Sequence, residues 1–145
     1  MSGGGPRRRS RQVALQVLYA LDVSAAARSA TALLDQEVFE RFAENFELPE
    51  AARAFAKELV HGVTNHRDNL DERIAARAKN WRISRMAAVD RNILRLATYE
   101  LAHTDTPDSV VLDEAVELAR RFGDDPSPAF VNGILDAIAK DDSGD

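Results

Sequence analysis

The sequence predicts an all-α protein of about seven helices, and three observations carry that prediction. Alanine, the strongest helix former, occurs 24 times in the 145 residues. Apolar residues recur at spacings of three and four, while the strict alternation that a half-buried strand requires is nearly absent. Turn formers are sparse, with no proline between Pro49 and Pro107 and no glycine between Gly62 and Gly123. A chain of this length makes one domain or two small sub-bundles and buries about two-thirds of the surface its unfolded form exposes.

The first helix is expected from Arg8 to Val23, where Val13, Val17 and Leu21 recur every fourth residue with Ala14 and Leu18 beside them. Leu33, Leu34, Val38, Phe42 and Phe46 mark a second between Ser29 and Asn45. Pro49 suits the first turn of a third helix, which buries Ala52, Phe55, Ala56, Leu59, Val60 and Val63. Asp68 to Lys79 reads as a short fourth helix carrying Leu70 and Ile74, followed by an apolar hinge at Trp81 and Ile83. Ser84 is placed to cap a fifth helix with Met86, Val89, Ile93 and Leu96 on its apolar face. Thr106 as cap and Pro107 as first helical residue start a sixth helix with Val111, Ala115, Leu118 and Phe122 inward, and Gly123 ends it. Ser127 and Pro128 repeat that logic for a seventh, whose Phe130, Val131, Ile134, Leu135 and Ile138 form a broad apolar stripe.

Composition excludes several classes of function. Hydrophobic residues at 45% and charged residues at 30% describe a globular chain rather than a disordered or fibrous one. No apolar run reaches the length of about 18 residues that a membrane helix needs. The absence of cysteine removes disulfides, thiolate catalysis and iron-sulfur or cysteine zinc sites, and fits a cytoplasmic setting. The arginines at 7 to 11, the apolar run after them and Ala25 to Ala27 loosely imitate an export signal, but Gln16 and the helical spacing read as structure instead.

No constellation for catalysis, metal or cofactor emerges. His61 and His66 are five apart, which turns them about 140° from each other on a helix, and with His103 they read as surface or cap histidines. The acids from Asp68 to Glu72 lack the glycine and spacing of a calcium loop and suit a helix N-terminus. Glu114 and Glu117 share a face without a basic or metal partner nearby in sequence. No phosphate-binding loop, nucleophile elbow or paired-histidine zinc motif occurs, and Gly3 to Gly5 form a flexible leader. The chain is therefore expected not to be an enzyme.

Charge is the feature left over. Residues 1 to 21 carry Arg7, Arg8, Arg9 and Arg11 and no acid, a charge of +4, so the rest of the chain carries −9 to give the net −5. These arginines open a helix, where the macrodipole disfavours positive charge, so stability alone explains them poorly. Guanidinium groups bind phosphate bidentately and stack on splayed bases, which points to single-stranded RNA; the bland alternative is a solvated basic tail.

Several runs together resemble the NusB family of bacterial transcription antitermination factors. They are Arg7 to Arg11 followed by Ala14-Leu15-Gln16 and Leu18-Tyr19; Leu59 to Val63; Trp81; Val89-Asp90-Arg91 with Ile93-Leu94-Arg95; Tyr99 to Leu101; Asp113 to Ala119; and Phe130 to Asp136. They cover nearly the whole chain in order, and the closing Phe-Val-Asn-Gly-Ile-Leu-Asp run is highly specific. The resemblance implies one all-helical domain over 1–145 in two small packed bundles: a leader over 1–6, sub-bundles over 7–80 and 84–140, and an acidic tail over 141–145. It implies a non-enzymatic role in which the protein pairs with NusE, a small-subunit ribosomal protein, and binds boxA RNA of nascent transcripts. RNA polymerase and the other Nus factors complete the antitermination complex.

Carried over by position, the resemblance assigns Arg7, Arg8, Arg9, Arg11, Phe130 and Asn132 to RNA. It assigns Tyr19 and Asp90 to the NusE-facing surface. Phe130 equally suits the core through its spacing to Ile134 and Ile138, and Tyr19 equally suits a core edge. Gly133 is expected to permit close helix packing. One departure is Pro126, which stands where the family often places an acid before the loop serine. A homodimer stays open, because some members self-associate through the surface that otherwise accepts RNA. So do two other roles: an accessory RNA-binding subunit of an rRNA-modifying enzyme, and a helical adaptor that contacts only protein.

Overall fold

The computed structural model describes residues 5–23 and 48–142, and among them every regular element is helical. The helices are α1 (Pro6–Val23), α2 (Glu50–Asn65), α3 (Arg67–Arg77), α4 (Ala88–His103), α5 (Asp108–Phe122) and α6 (Ser127–Asp142), with a 3-10 turn at Ile83–Arg85 between α3 and α4. The helix expected over Ser29 to Asn45, the leader glycines Gly3 and Gly4, and Ser143 to Asp145 lie outside the described residues. The chain divides into two compact units, Met1–Thr64 and Asn65–Asp145. Residues 65–80, grouped above with the N-terminal sub-bundle, lie in the second.

In the first unit, α1 buries Val13, Ala14, Leu15, Val17 and Leu18, and α2 buries Ala52, Phe55, Ala56, Leu59, Val60 and Val63, as their spacing requires. Buried Ser10 ties the two helices: its hydroxyl lies 2.7 Å from the Ala52 carbonyl and 3.0 Å from that of Pro6. One proton cannot serve both fully, so the shorter contact, between helices, is the stronger bond.

In the second unit α3 packs on α4 and α6, and α4, α5 and α6 pack on one another. Leu70, Ile74, Ile93, Leu94, Leu135 and Ile138 are buried; each contributes about 1.5–3 kcal/mol by burial. Arg95 is buried among them and donates from Nε to Asp71 Oδ1 at 2.8 Å and from Nη2 to Oδ2 at 3.0 Å, a bidentate clamp of α4 onto α3.

Three helix starts differ from the expectation. Ser84 caps nothing: it lies in the 3-10 turn, Met86 precedes the helix, and Ala87 is the cap residue of α4. Pro107 is itself the cap of α5, its carbonyl accepting from Val110 and Val111, and Thr106 instead meets Thr104. Ser127 is helical and turns its hydroxyl backwards to accept from the Asp124 N–H at 3.0 Å. Gly123 is extended rather than left-handed, and a Cβ there would stand 2.6 Å from Ser127 Oγ and 2.9 Å from the Ala119 carbonyl oxygen. Lack of volume, not backbone freedom, is what this position demands. The start of the expected tail is also structured, because Asp141 lies in α6 and pairs bidentately with Arg77.

Candidate nucleic-acid interface

The arginines open α1, where the Gly5 carbonyl accepts from the Arg8 and Arg9 backbone N–H groups at 3.0 and 3.3 Å and the first turn holds no acid. Arg7 and Arg11 are one turn apart and share a side, and there they meet Phe55 of α2. The guanidinium carbon of Arg7 stands 4.0 Å from the Phe55 ring centroid and that of Arg11 5.4 Å. A cation over a ring face gains about 0.5–2 kcal/mol, more as water is excluded. The pairing offsets the unfavourable helix end and gives both residues a place in the fold, which reading them by charge alone did not foresee.

The four arginines are not equivalent. Arg11 is buried at 4% exposure, so its primary surroundings are protein. Arg7 is exposed, Arg8 half-buried, and Arg9, about 200° round the helix from Arg7, is exposed on another side. Phe55, an ordinary core residue by spacing, was the missed member of this group. Only the tertiary contact marks it.

Phe130, in the first turn of α6, is half-buried rather than a full core residue. Its ring meets that of Trp81 edge to face, centroids 5.7 Å apart and planes at 78°. Asn132 is exposed but lies about 200° round α6 from Phe130, so the helix does not bring these two onto one face. Gly133 is exposed, and a Cβ there would meet nothing within 4 Å among the described residues, so close packing is not its role. Pro126, Asp124 and Asp125 are exposed in the loop before α6.

Of the two residues assigned to a protein partner, Tyr19 is 41% exposed on α1. Asp90 sits in the first turn of α4, where an acid suits the macrodipole. Its Oδ1 is buried and accepts no hydrogen bond among the described residues. The histidines form an unexpected group: His66 and His103 have ring centroids 4.4 Å apart, and Tyr99 stacks on His103 at 4.9 Å. No cluster of three or more metal-ligating side chains occurs among the described residues, nor is any described helix long and apolar enough to cross a membrane.

A profile described as the NusB family matches residues 8–140, which reaches into both units and includes Arg8, Arg9 and Arg11. The chain belongs to the NusB family. The transcription antitermination protein NusB of Trichlorobacter lovleyi is 46% identical over 135 residues, covering 92% of this chain and 90% of its own. That of Geobacter sulfurreducens is 48% identical over 138 residues, covering 93% and 94%. Among solved structures, T. maritima NusB superposes with a TM-score of 0.81 at 34% identity, over 94% of this chain and 92% of that one. A chain from a structure of antitermination factors NusB and NusE in complex with dsRNA gives 0.80 at 30% identity, over 94% and 97%. The NusB relatives are thus named for transcription antitermination, and their fold is the all-helical one described above.

Proposed function

We propose that this chain is a non-enzymatic, RNA-binding transcription antitermination factor of the cytoplasm. It pairs with the ribosomal protein NusE to bind single-stranded boxA RNA of nascent transcripts, notably ribosomal RNA, within a complex of RNA polymerase and other Nus factors, and so suppresses premature termination. The observation that carries the reading is the arginine-rich start of α1 on a chain otherwise acidic, with Arg7 held on the Phe55 ring. A cation–π contact satisfies the charge without using the N–H donors, so the guanidinium edge stays able to grip a phosphate.

Arg7, Arg8 and Arg9 are the phosphate ligands in this reading, and Arg11 positions the helix start. The half-buried ring of Phe130 and the exposed amide of Asn132 are the RNA contacts of the second unit, while Tyr19 and Asp90 face NusE. Three phosphate contacts on a single strand give a salt slope of about −2, so the protein alone binds weakly at physiological salt and NusE tightens it.

Fluorescence anisotropy of a boxA RNA against a scrambled and a double-stranded control, with and without NusE and at two salt concentrations, tests this. Selective binding of boxA, strengthened by NusE and with a slope at least that steep, is the expected result. Equal binding to all three RNAs with no effect of NusE would overturn it.

A further inference from the structure

The second unit carries an exposed aromatic that the assignments above leave without a task. Trp81 is 55% exposed, although burying so large a ring is a principal way for a small unit to gain stability. The segment that bears it is not loose. The Trp81 N–H donates to the Ala78 carbonyl at 3.0 Å, Arg85 to Arg82 at 2.9 Å and Met86 to Ile83 at 3.1 Å. Ala78 and Met86, at its two ends, are 6% and 5% exposed and pin it to the core. Between these anchors Lys79, Trp81, Arg82 and Arg85 all face solvent, and no acid occurs from residue 73 to residue 89.

We propose that Trp81, braced edge to face by Phe130, is a stacking platform for a base of single-stranded RNA, with Arg82 and Arg85 holding the adjoining phosphates. This rests on the RNA-binding reading above and adds to it a second contact region. A rigidly presented ring stacks on a base without paying fresh ordering entropy, and every base offers a π-face, so the platform contributes affinity more than sequence choice. Flanking cations make the occupant an anionic polymer rather than an apolar peptide.

Trp81 is the one tryptophan of the chain, so its emission reports on this spot alone. The intact protein is titrated with boxA RNA while tryptophan emission and the anisotropy of labelled RNA are followed together. Emission is expected to quench with the same midpoint as the anisotropy. Trp81→Ala is expected to weaken binding about tenfold and Trp81→Phe about threefold or less, whereas Val110→Ala, an exposed apolar residue of the same unit, leaves it unchanged. With these two contacts added to the three of α1 the salt slope steepens to about −3.5, and the double variant Arg82→Gln with Arg85→Gln should return it to about −2. RNA binding by anisotropy with unquenched emission and an unaffected Trp81→Ala would overturn the platform and leave the RNA-binding reading intact. No binding by the wild-type protein would sink both. Unchanged RNA affinity with lost NusE affinity in Trp81→Ala would make the ring a protein contact and overturn the platform.

Discussion

The two units hold arginine by opposite devices. In the first, Arg7 and Arg11 lie over the face of Phe55. In the second, Arg95 is buried and both ends of its fork are taken by Asp71, with Asn92 Oδ1 3.4 Å from Nη1. A ring face meets the charge of Arg7 without itself taking an N–H donor, while a carboxylate consumes the donors of Arg95. For Arg7 the first arrangement suits a group that must still bind a phosphate, and the second suits a clamp between helices, while Arg11, as buried as Arg95, serves the fold. Burial sharpens the distinction, since Arg95 is 4% exposed whereas Arg7 faces solvent.

The largest effect should come from breaking the clamp. Arg95→Met leaves Asp71 unpaired beside the α3–α4 contact and is expected to cost about 3 kcal/mol, read by urea denaturation, with α1's RNA contacts untouched in the folded fraction. Next, replacing Arg7, Arg8 and Arg9 together by Gln should lower boxA affinity about a hundredfold at low salt, while denaturation shows little change or a slight gain because the helix dipole is no longer opposed. Should this triple variant unfold instead, the arginines would be structural and the contrast between the units would vanish.

Phe55→Leu keeps an apolar side chain but removes the ring face. It should cost about 1 kcal/mol and weaken RNA binding about threefold with the salt slope unchanged, since the phosphate ligands remain.

The smallest effect is expected at Arg77 and Asp141, a bidentate pair like that of Arg95 but in solvent. The hydrogen bond and charge of Arg77 hold the Asp141 carboxyl below its usual value. Its folded state therefore favours the ionised form. Any stabilisation is present above the ordinary carboxylate range, near pH 4, and is lost as pH falls through the lowered folded value. Thermal melts of Asp141→Asn should differ slightly from wild type at pH 6 and low salt, and the difference should disappear in 1 M salt, where exposed pairs are screened. A gap that survives high salt would show that the pair is not the solvated one its exposure indicates.

What could be read before any fold was available followed helical periodicity. Val13, Leu59, Leu70, Ile93, Val111 and Leu135 are all buried, each at a position where a three- or four-residue spacing put it on the inner face. Helix starts were less legible, because Ser84 and Thr106 are good caps in isolation but the chain around them is set by other anchors. Met86 is pulled into the core ahead of α4, and the fixed φ of Pro107 lets its own carbonyl begin α5. Gly123 was read through backbone freedom and Gly133 through close packing, whereas Gly123 is required for space and a Cβ at Gly133 would meet nothing within 4 Å among the described residues.

The sequence by itself determined the helical class, the separation of four arginines from an acidic remainder, and membership of a family through runs spread along the chain. Those properties are local or compositional, so they survive in a string. Only the tertiary structure decided which arginines serve the fold and which face outward, and that Phe55 lies under two of them. It also decided that a half-buried Phe130 meets an exposed Trp81 edge to face. Contacts between segments about 45 residues apart leave no periodic trace, because they depend on how neighbouring helices are docked rather than on the pattern along either one.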